Sequence, residues 1–438
     1  MGKIVAKFGG SSLSEAVQFQ KVRDILRMDS RRRFVVPSAP GRRFEEDEKI
    51  TDLLYRTYQA KEEGQEYQSF FSLVEERFLS ITEGLRLALD MRAVLDEIIR
   101  DIENGANQDY CASRGEYLNG LILAEYLDFP FLDPKAFVFF EEDGTFDSEG
   151  TQAALSEILK DADSAVIPGF YGSCPDGSIR TFSRGGSDIS GAIVARAAYA
   201  DIYENWTDVS GILMADPRVV DEAKPIQRIT YRELRELSYM GATVLHEDSV
   251  FPVHRAGIPT NIRNTNHPDH LGTIIAHSVT GAPNPYVITG IAGKNGFSVI
   301  SVEKAMMNAE KGFGRRVLQA IEEADLSFEH LPTGIDTLCV VLPTSELEPK
   351  KDRVVARIRE LTSPDSLTIL DNMSLIATVG RGMVHNPGTA ARLFTALSRA
   401  RVNVRMIDQG SSELSILVGV DNRDFEPSIR AIYNEFVK

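Results

Sequence analysis

The 438-residue chain has only three cysteines, and they lie far apart. Cys111, Cys174 and Cys339 include no Cys-x-x-Cys pair, which excludes the spacing of a zinc ribbon and argues against a disulfide framework. The seven histidines are also scattered, so we expect no metal site built from the chain's own side chains. Sparse cysteine is typical of a reducing compartment, and we expect a cytoplasmic protein.

Long apolar runs and an excess of positive charge are also missing. No run approaches the roughly 20 apolar residues of a membrane span, and residues 1–7 lack the apolar core of a secretory signal. Lys and Arg number 48 against 64 Asp and Glu, a formal charge of −16. We therefore expect neither a membrane nor a nucleic acid as partner, and any anionic ligand must be held by a local cluster of donors and cations.

The composition that is present, 43% hydrophobic and 26% charged, is that of a soluble globular protein. Residues 50–128 have the apolar periodicity of helices. Helices are also predicted at 14–28 and 187–199, and strands at 4–8, 33–39, 165–171, 178–182, 201–207 and 259–264, the last being the final strand of this region. Alternating strands and helices predict an α/β sandwich with a mainly parallel sheet.

An internal repeat follows a Pro- and Gly-containing linker at 279–286. Residues 298–342 align without gaps onto 374–418, with nine identical positions and a shared apolar pattern. Each copy has the pattern of a βαββ unit, and the alternative is that any two βα units look alike at this level. The domains predicted are 1–280, a linker and first strand at 281–296 that completes the second of two small domains, and those small domains at 297–364 and 365–438.

Two Gly-Gly-Ser loops each follow a strand and open a helix. In residues 7–12, Lys7 ends the strand and Gly9, Gly10 and Ser11 follow it, an arrangement that suits phosphate oxygens. In residues 183–188, Arg184 and Asp188 flank the glycines and Ser187 lies between them. One such loop is also compatible with an ordinary tight turn, but two of them predict a site at one edge of the sheet.

Other polar segments of interest are residues 113–116, a helix start, and 206–218, which contains the only tryptophan. Together with the two loops they carry a family resemblance. KFGGSS at 7–12, PSAPG at 37–41, ITDLL at 50–54, SRGEYL at 113–118, SRGGSD at 183–188, WTDVSGI at 206–212 and DPRVV at 216–220 occur in the order found in aspartokinases, within the amino-acid kinase superfamily. The repeat resembles the paired ferredoxin-like ACT domains of that family. The resemblance covers nearly the whole chain, and the chain is expected to lack a fused homoserine dehydrogenase.

The resemblance implies that MgATP phosphorylates the side-chain carboxylate of L-aspartate to 4-phospho-L-aspartate, the first step toward lysine, threonine, methionine and diaminopimelate. It implies that Lys7 holds the phosphate oxygens and that Asp188 orients Lys7. By the same resemblance, Arg184 is expected to clamp the substrate α-carboxylate, with Ser38, Thr51, Glu116, Phe170 and Ser187 completing the aspartate pocket. The residues expected to contact the nucleotide are Gly9, Gly10, Ser11, Thr207, Asp208 and Arg218.

The resemblance also implies feedback control, through a homodimer or dimer of dimers formed by the ACT domains. The effector site is expected at the turn containing Met307, Glu310, Gly312, Phe313 and Gly314 and at a strand starting Ser327, Phe328 and Glu329. The glutamates Glu310 and Glu329 favour lysine over threonine, since lysine carries a distal cation; the alternative is that both are solvated.

One departure from the family concerns a segment that supplies a second phosphate-binding lysine in many members. Here that position is Thr243, and Lys224 or Arg218 is a candidate replacement. Two other interpretations therefore stay open: a catalytically weak amino-acid sensor, and a sister kinase acting on glutamate or acetylglutamate. A smaller departure is Pro37, which predicts that the second strand ends or bends there.

Overall fold

The computed structural model describes residues 2–183, 186–242, 247–278 and 285–438. Most of the expected linker lies outside these ranges. The helices are α1 (Ala16–Met28), α2 (Ile50–Glu62), α3 (Gln68–Leu85), α4 (Met91–Glu103), α5 (Gln108–Leu127), α6 (Ser148–Lys160), α7 (Gly186–Ala197), α8 (Tyr231–Tyr239), α9 (Phe251–Ala256), α10 (Phe313–Glu322), α11 (Thr344–Leu347), α12 (Lys351–Thr362), α13 (Thr389–Arg399) and α14 (Phe425–Val437). Within the described ranges, no helix is long and apolar enough to cross a membrane.

The strands are more numerous than the sequence pattern indicates. They are β1 (Ile4–Phe8), β2 (Arg32–Pro37), β3 (Phe139–Phe140), β4 (Phe146–Asp147), β5 (Ala165–Val166), β6 (Tyr171–Ser173), β7 (Ile179–Thr181), β8 (Ile202–Thr207), β9 (Arg228–Thr230), β10 (Thr260–Asn264), β11 (Thr273–Ala276), β12 (Gly290–Glu303), β13 (Thr337–Pro343), β14 (Ser366–Val379), β15 (Val404–Asp408) and β16 (Ser415–Asp421).

The chain forms two compact units that are not divided at a single point. The first contains residues 1–212, 225–231 and 244–280, and the second contains residues 213–224, 232–243 and 281–438. Two short segments that precede residue 280 thus belong to the second unit. In the second unit, the Ile291 amide donates to the Met214 carbonyl at 2.7 Å, and Ser415 Oγ donates to Glu236 Oε2 at 3.0 Å.

The first unit contains a seven-stranded sheet in the order β5-β2-β1-β8-β10-β11-β9. Its pairs are parallel except for β10 with β11, which confirms the predicted mainly parallel sheet. A smaller sheet has the order β4-β3-β6-β7. The prediction that the strand at 259–264 is the last of this region was wrong, because β11 follows it and turns back along it.

Side chains alternate between the two faces of the large sheet. Ala6 and Phe8 of β1 belong to the core that α1 to α5 cover, whereas Lys7 reaches Asp188 of α7 on the opposite face. Helix layers on both faces make the three-layer sandwich. A polar residue can therefore lie between two apolar ones on β1 without entering the larger core.

Some predicted elements are shorter in the structure. The strand expected at 33–39 ends at Pro37, as the proline predicts. The strand expected at 165–171 is interrupted between β5 and β6, because Pro168 and Gly169 intervene and Phe170 has a φ of 81°. The helix expected from residue 14 begins at Ala16, after a 3₁₀ turn at Gly10–Leu13.

The second unit has one antiparallel sheet in the order β13-β12-β14-β16-β15. The sequence repeat is visible in it: β12, α10 and β13 correspond to β14, α13 and β16. Gly312 and Gly388 occupy equivalent positions just before α10 and α13, with φ of 81° and 88°. Left-handed backbone favours glycine there in both copies. The boundaries 281–296, 297–364 and 365–438 stay predictions.

Candidate active site

Four loops converge at one edge of the large sheet. Strands β2, β1, β8 and β10 are neighbours and parallel, so their carboxyl ends point the same way. Strand β2, the next strand in the chain, pairs with one edge of β1. The later strands β8 and β10 extend the sheet from the other edge of β1. The strand order therefore reverses between β1 and β8, and such a switch point is where open α/β sheets bind ligands.

An ion pair lies at this switch point. Lys7 Nζ of β1 is 2.5 Å from Asp188 Oδ1 of α7, and both side chains are largely buried. Asn205 of β8 also donates to Asp188 Oδ1, from Nδ2 at 3.0 Å. The sequence predicted the Lys7–Asp188 contact but not Asn205. The signal for it was its place two residues before Thr207 on a strand whose alternate side chains share a face.

The Gly9–Gly10 loop packs backbone to backbone on the loop after β2. The Gly41 amide donates to the Gly10 carbonyl at 2.9 Å, and a Cβ on Gly10 would lie 2.9 Å from the Ala39 carbonyl oxygen. A Cβ on Gly9 would have more room than one on Gly10, and it would lie 3.8 Å from Lys7 Nζ. This open side next to a lysine suits a phosphate.

The Gly9 amide itself is not free to bind phosphate, contrary to expectation, because it donates to the Trp206 carbonyl at 2.9 Å. Gly9 would contribute through the room left by its missing side chain. The amides of Gly10 and Ser11 begin the 3₁₀ turn and keep their expected role as a prediction.

Glu116 is buried beside these loops without a complete set of partners. It lies inside α5, which begins at Gln108, so the prediction of a helix start at 113–116 was wrong. Its Oε2 atom has no hydrogen-bond partner in the part of the chain that the structure describes. Burial raises the pKa of Glu116 to about 8, although a backbone hydrogen bond from Ala39 and the charges of Lys7 and Arg114 act in the opposite direction. A buried carboxyl group with an unused oxygen is a candidate ligand for a substrate cation.

Two serines join the loops from opposite sides. Ser38 Oγ, after β2, donates to Ser187 Oγ of α7 at 2.7 Å. Asn119 Nδ2 donates to the Ser38 carbonyl at 2.7 Å. Asn119 was not predicted, yet it lies three residues after Glu116, where a helix presents the same face. The structure thus brings together Ser38, Ser187 and the Glu116 face of α5.

Phe170 lies next to this group in left-handed backbone, and a Cβ on Gly186 would lie 2.3 Å from its ring. The Phe170 amide donates to Ser190 Oγ of α7 at 2.8 Å. Thr51 is half-buried on the first turn of α2, and its part in the pocket stays a prediction. Arg184 lies outside the described residues.

Comparisons with known proteins agree with this geometry. The amino acid kinase family model matches residues 2–264, and an ACT domain model matches residues 376–436. Aspartokinase 3 of Bacillus subtilis is 37% identical over 447 residues, covering 99% of this chain and 98% of that protein. This chain belongs to the aspartokinase family. The aspartate kinase of Clostridium acetobutylicum aligns over 100% of both chains, with 48% identity and a TM-score of 0.91.

The Escherichia coli aspartokinase III has the same fold at 24% identity. Its complex with aspartate and ADP aligns with a TM-score of 0.73, covering 99% of each chain. Its complex with lysine and aspartate aligns with a TM-score of 0.74, covering 100% of each chain.

Two of the nucleotide residues expected in the enzyme lie at this edge of the large sheet. Thr207 ends β8 and Asp208 follows it, at the same edge as Lys7, and Thr207 Oγ1 donates to Asp208 Oδ1 at 3.1 Å. Arg218 belongs to the second unit, where its exposed guanidinium pairs with Asp216 at 2.7 Å. Its contact with nucleotide stays a prediction.

The tryptophan of this region is a core residue and not a nucleotide contact. Trp206 is fully buried, stacks on Phe8 with ring centroids 5.9 Å apart, and donates from Nε1 to Glu204 Oε2 at 2.9 Å. Arg32 and Arg263 flank its ring. Because alternate residues of β8 face opposite ways, Trp206 enters the core while its neighbour Asn205 contacts α7.

Lys224 and Arg218, the two candidate replacements for a phosphate-binding lysine at position 243, each have other partners in the structure. Lys224 Nζ donates to Tyr286 Oη at 2.7 Å and to the Val437 carbonyl at 3.1 Å, within the second unit. Arg218 is paired with Asp216. Thr243 itself lies outside the described residues.

The expected effector turn forms, but its charges are partly used. Met307 and Phe313 are buried, Gly312 and Gly314 bound the start of α10, and Glu310 pairs with Lys304 at 2.8 Å and also with Arg316. These cations lower the pKa of Glu310 and already compensate its charge.

The strand expected after α10 was not found. Ser327, Phe328 and Glu329 lie outside the strands, although the Glu329 amide donates to the Val341 carbonyl at 2.8 Å. In the second copy, β15 begins at Val404, which corresponds to Phe328. The Glu329 side chain hydrogen-bonds with Tyr239, and this contact adds to burial in raising the pKa of Tyr239 to about 12. The case for a cationic effector thus depends on Glu329 more than on Glu310.

Proposed function

We infer that this enzyme transfers the γ-phosphoryl group of ATP to the side-chain carboxylate of L-aspartate, forming 4-phospho-L-aspartate and ADP. The observation that carries the inference is the Lys7–Asp188 pair at the switch point beside the buried Glu116. The attacking carboxylate is ionised at neutral pH, so the reaction needs no general base. Catalysis then depends on positioning and on neutralising charge in the transition state.

Each side chain has a part in that chemistry. Lys7 would meet the oxygens of the transferred phosphoryl group, and Asp188 would hold the Lys7 ammonium at the end of β1. Glu116 would bind the substrate α-ammonium, which supplies the missing partner of its Oε2. Arg184 is proposed to clamp the α-carboxylate through its guanidinium fork. Ser38 and Ser187 would line the same pocket from opposite loops.

Magnesium is proposed to arrive with the nucleotide as MgATP. Among the residues that the structure describes, no group of three or more His, Cys, Asp or Glu is placed to hold a metal ion. The proposed magnesium ion would be bound mainly by phosphate oxygens, since Mg²⁺ commonly takes only one or two protein carboxylates.

The activity is tested by ADP release with L-aspartate, with hydroxylamine trapping the acyl phosphate as a hydroxamate. Glutamate and acetylglutamate in place of aspartate test the sister-kinase interpretation. ADP release with aspartate but without hydroxamate would contradict carboxylate phosphorylation. An amino-acid sensor without activity would release no ADP above background.

The proposed regulation is feedback inhibition by lysine. The structure of aspartokinase III of Escherichia coli was solved in complex with lysine and aspartate. The proposed receptor is the turn at 307–314 with Glu329, in a homodimer joined through the ACT domains. Lysine should inhibit more strongly than threonine, and Glu329→Gln should weaken lysine inhibition while leaving uninhibited kcat nearly unchanged. Inhibition by threonine alone would contradict the proposal. The cytoplasmic location also stays a prediction.

A further inference from the structure

Asn205 is a buried polar side chain at the switch point that the proposed chemistry has not used. It is 5% exposed and lies in the parallel pair of β1 and β8 directly beside Lys7. On its other side in the sheet is Ile262 of β10, which is apolar. Asn205 therefore lies at the boundary between β1 and β8, where the strand order reverses.

Asn205 holds the same carboxylate oxygen as the catalytic lysine. Its Nδ2 donates to Asp188 Oδ1 at 3.0 Å, and Lys7 Nζ is 2.5 Å from that oxygen. Tyr203, two residues earlier on the same face of β8, donates from its hydroxyl to the Asp188 carbonyl at 3.1 Å. Strand β8 thus restrains Asp188 at its side chain and at its backbone.

The carbonyl oxygen of the Asn205 side chain does not explain why asparagine is here. Its Oδ1 atom is buried and has no partner within the described part of the chain. An unpaired buried acceptor destabilises a fold, and a leucine of similar size would avoid it. The role that is left is the bond from Nδ2, which restrains Asp188 without placing a second charge next to Lys7.

We propose that Asn205 is a positioning residue for phosphoryl transfer, which fixes the Asp188 carboxylate and through it the direction of the Lys7 ammonium group. This inference rests on the proposed aspartate kinase activity. Asn205 touches neither substrate in this scheme. Its loss should therefore lower kcat and leave substrate binding nearly intact.

The first test compares Asn205→Leu with the wild type in the hydroxamate assay. Loss of a hydrogen bond to a charged group predicts a kcat lower by about 10- to 100-fold. The KM values for aspartate and ATP should change by no more than about threefold. A normal kcat, or a loss that appears only in KM, would overturn the proposal.

The second test uses Asn205→Asp, which keeps the shape and makes the hydrogen bond depend on protonation. The groups that face this position are Lys7 of β1 and Asp188 of α7, with Glu116 near Lys7. A carboxyl group placed beside Asp188 would repel it when ionised and donate to it when protonated. The kcat of the variant relative to wild type should therefore rise as the pH falls from about 8 to about 6.

A purely structural role would leave that ratio flat, and a flat ratio would count against positioning. Asn205→Leu should show a low ratio that does not recover at low pH. The matched control is Asn261→Leu, since Asn261 is equally buried on the adjacent strand and its Oδ1 also lacks a partner among the described residues. It pairs with Glu204 in the sheet and so faces the other side.

Asn261→Leu should keep kcat and its pH profile. Equal losses of kcat in the two leucine variants would show that any buried asparagine of this sheet matters, and would overturn the specific role. Thermal unfolding shows whether each variant is folded, and kcat is calculated from the concentration of folded enzyme. An inactive wild type would refute the proposed function itself, whereas an active wild type with an unaffected Asn205→Leu would refute only the positioning role.

Discussion

Two glutamates of this chain are buried to a similar degree but have opposite surroundings. Glu116 in the first unit has an oxygen without a partner among the described residues, and burial raises its pKa to about 8. Glu233 in the second unit is fully buried, yet it accepts from Thr289 Oγ1 as well as from the Arg381 amide and guanidinium. One region leaves a buried carboxyl group incomplete, and the other completes it.

The difference separates a place for a ligand from a place that holds the fold together. A fully paired buried charge resists change, because removing one partner leaves the other charge buried and alone. A buried carboxyl group that lacks a partner destabilises the free protein, and a bound substrate cation would remove that cost. Glu233 also ties α8, which lies in the first 280 residues of the chain, to Arg381 just after β14 in the second unit.

The largest effect is expected from Glu233→Ala. It should lower the free energy of unfolding by about 3–5 kcal/mol, because the Arg381 guanidinium and the Thr289 hydroxyl lose their buried acceptor. Chemical denaturation monitored by circular dichroism measures it. The control is Glu323→Ala, which removes an exposed partner of Arg357 in the same unit and should change stability little. Equal effects of both variants would contradict the distinction.

The next largest effect is expected from Lys7→Ala, which removes a buried cation in the first unit. Loss of a contact to the transferred phosphoryl group typically lowers kcat by about 10² to 10³-fold. The KM for aspartate should change much less, in contrast to the stability loss expected for Glu233→Ala. Steady-state kinetics on folded enzyme measures both constants. A near-normal kcat would remove Lys7 from the chemistry.

A smaller effect is expected from Glu116→Gln, which should raise the KM for aspartate by about 10- to 100-fold through loss of a charged hydrogen bond.

The effect of Glu116→Gln on stability should depend on pH. The pKa of Glu116 is raised from the ordinary 4.5 to about 8, so between these values the native state binds more protons than the unfolded state. Wild-type stability from this group therefore falls as the pH rises through that window.

Glutamine does not titrate, so the melting temperature of Glu116→Gln should gain on that of the wild type as the pH rises from about 5 to about 8. Thermal unfolding at three pH values across this range measures the difference. A difference that stays constant with pH would show that Glu116 is ionised in the free enzyme.

The smallest effect is the release of a fraction of a proton when aspartate binds near pH 7. Glu116 is mainly protonated in the free enzyme at this pH, and the substrate α-ammonium should favour its ionised form. Calorimetry in buffers of different ionisation enthalpy counts the proton. Glu116→Gln should abolish the release, and a release that persists in this variant would assign the proton to another group.

Much of the fold could be predicted because the patterns involved are local. The β1 strand, the helices of residues 50–128 and the repeat all follow from apolar periodicity and from glycines at fixed spacing. The strand at 165–171 was predicted as continuous although Pro168 and Gly169 interrupt it, since periodicity alone does not register a break of this length. The strand expected at Ser327 failed for another reason: two copies of a repeat can share a pattern, yet the first copy makes only isolated bridges to β13, at His330 and Thr333, where the second forms the strand β15.

The amino-acid sequence by itself determined the family and the two Gly-Gly-Ser loops, because ordered motifs and strand ends are written in adjacent residues. The pairing of Lys7 with Asp188 was expected only through the family resemblance. Tertiary structure alone decided which polar groups are complete. Trp206 and Asn205 are neighbours in the chain, yet strand alternation sends one into the core and the other to Asp188. Glu116 and Glu233 are both helix glutamates in sequence, and they differ only in what the distant chain brings to them. Burial and pairing depend on residues far away in sequence, so no local pattern specifies them.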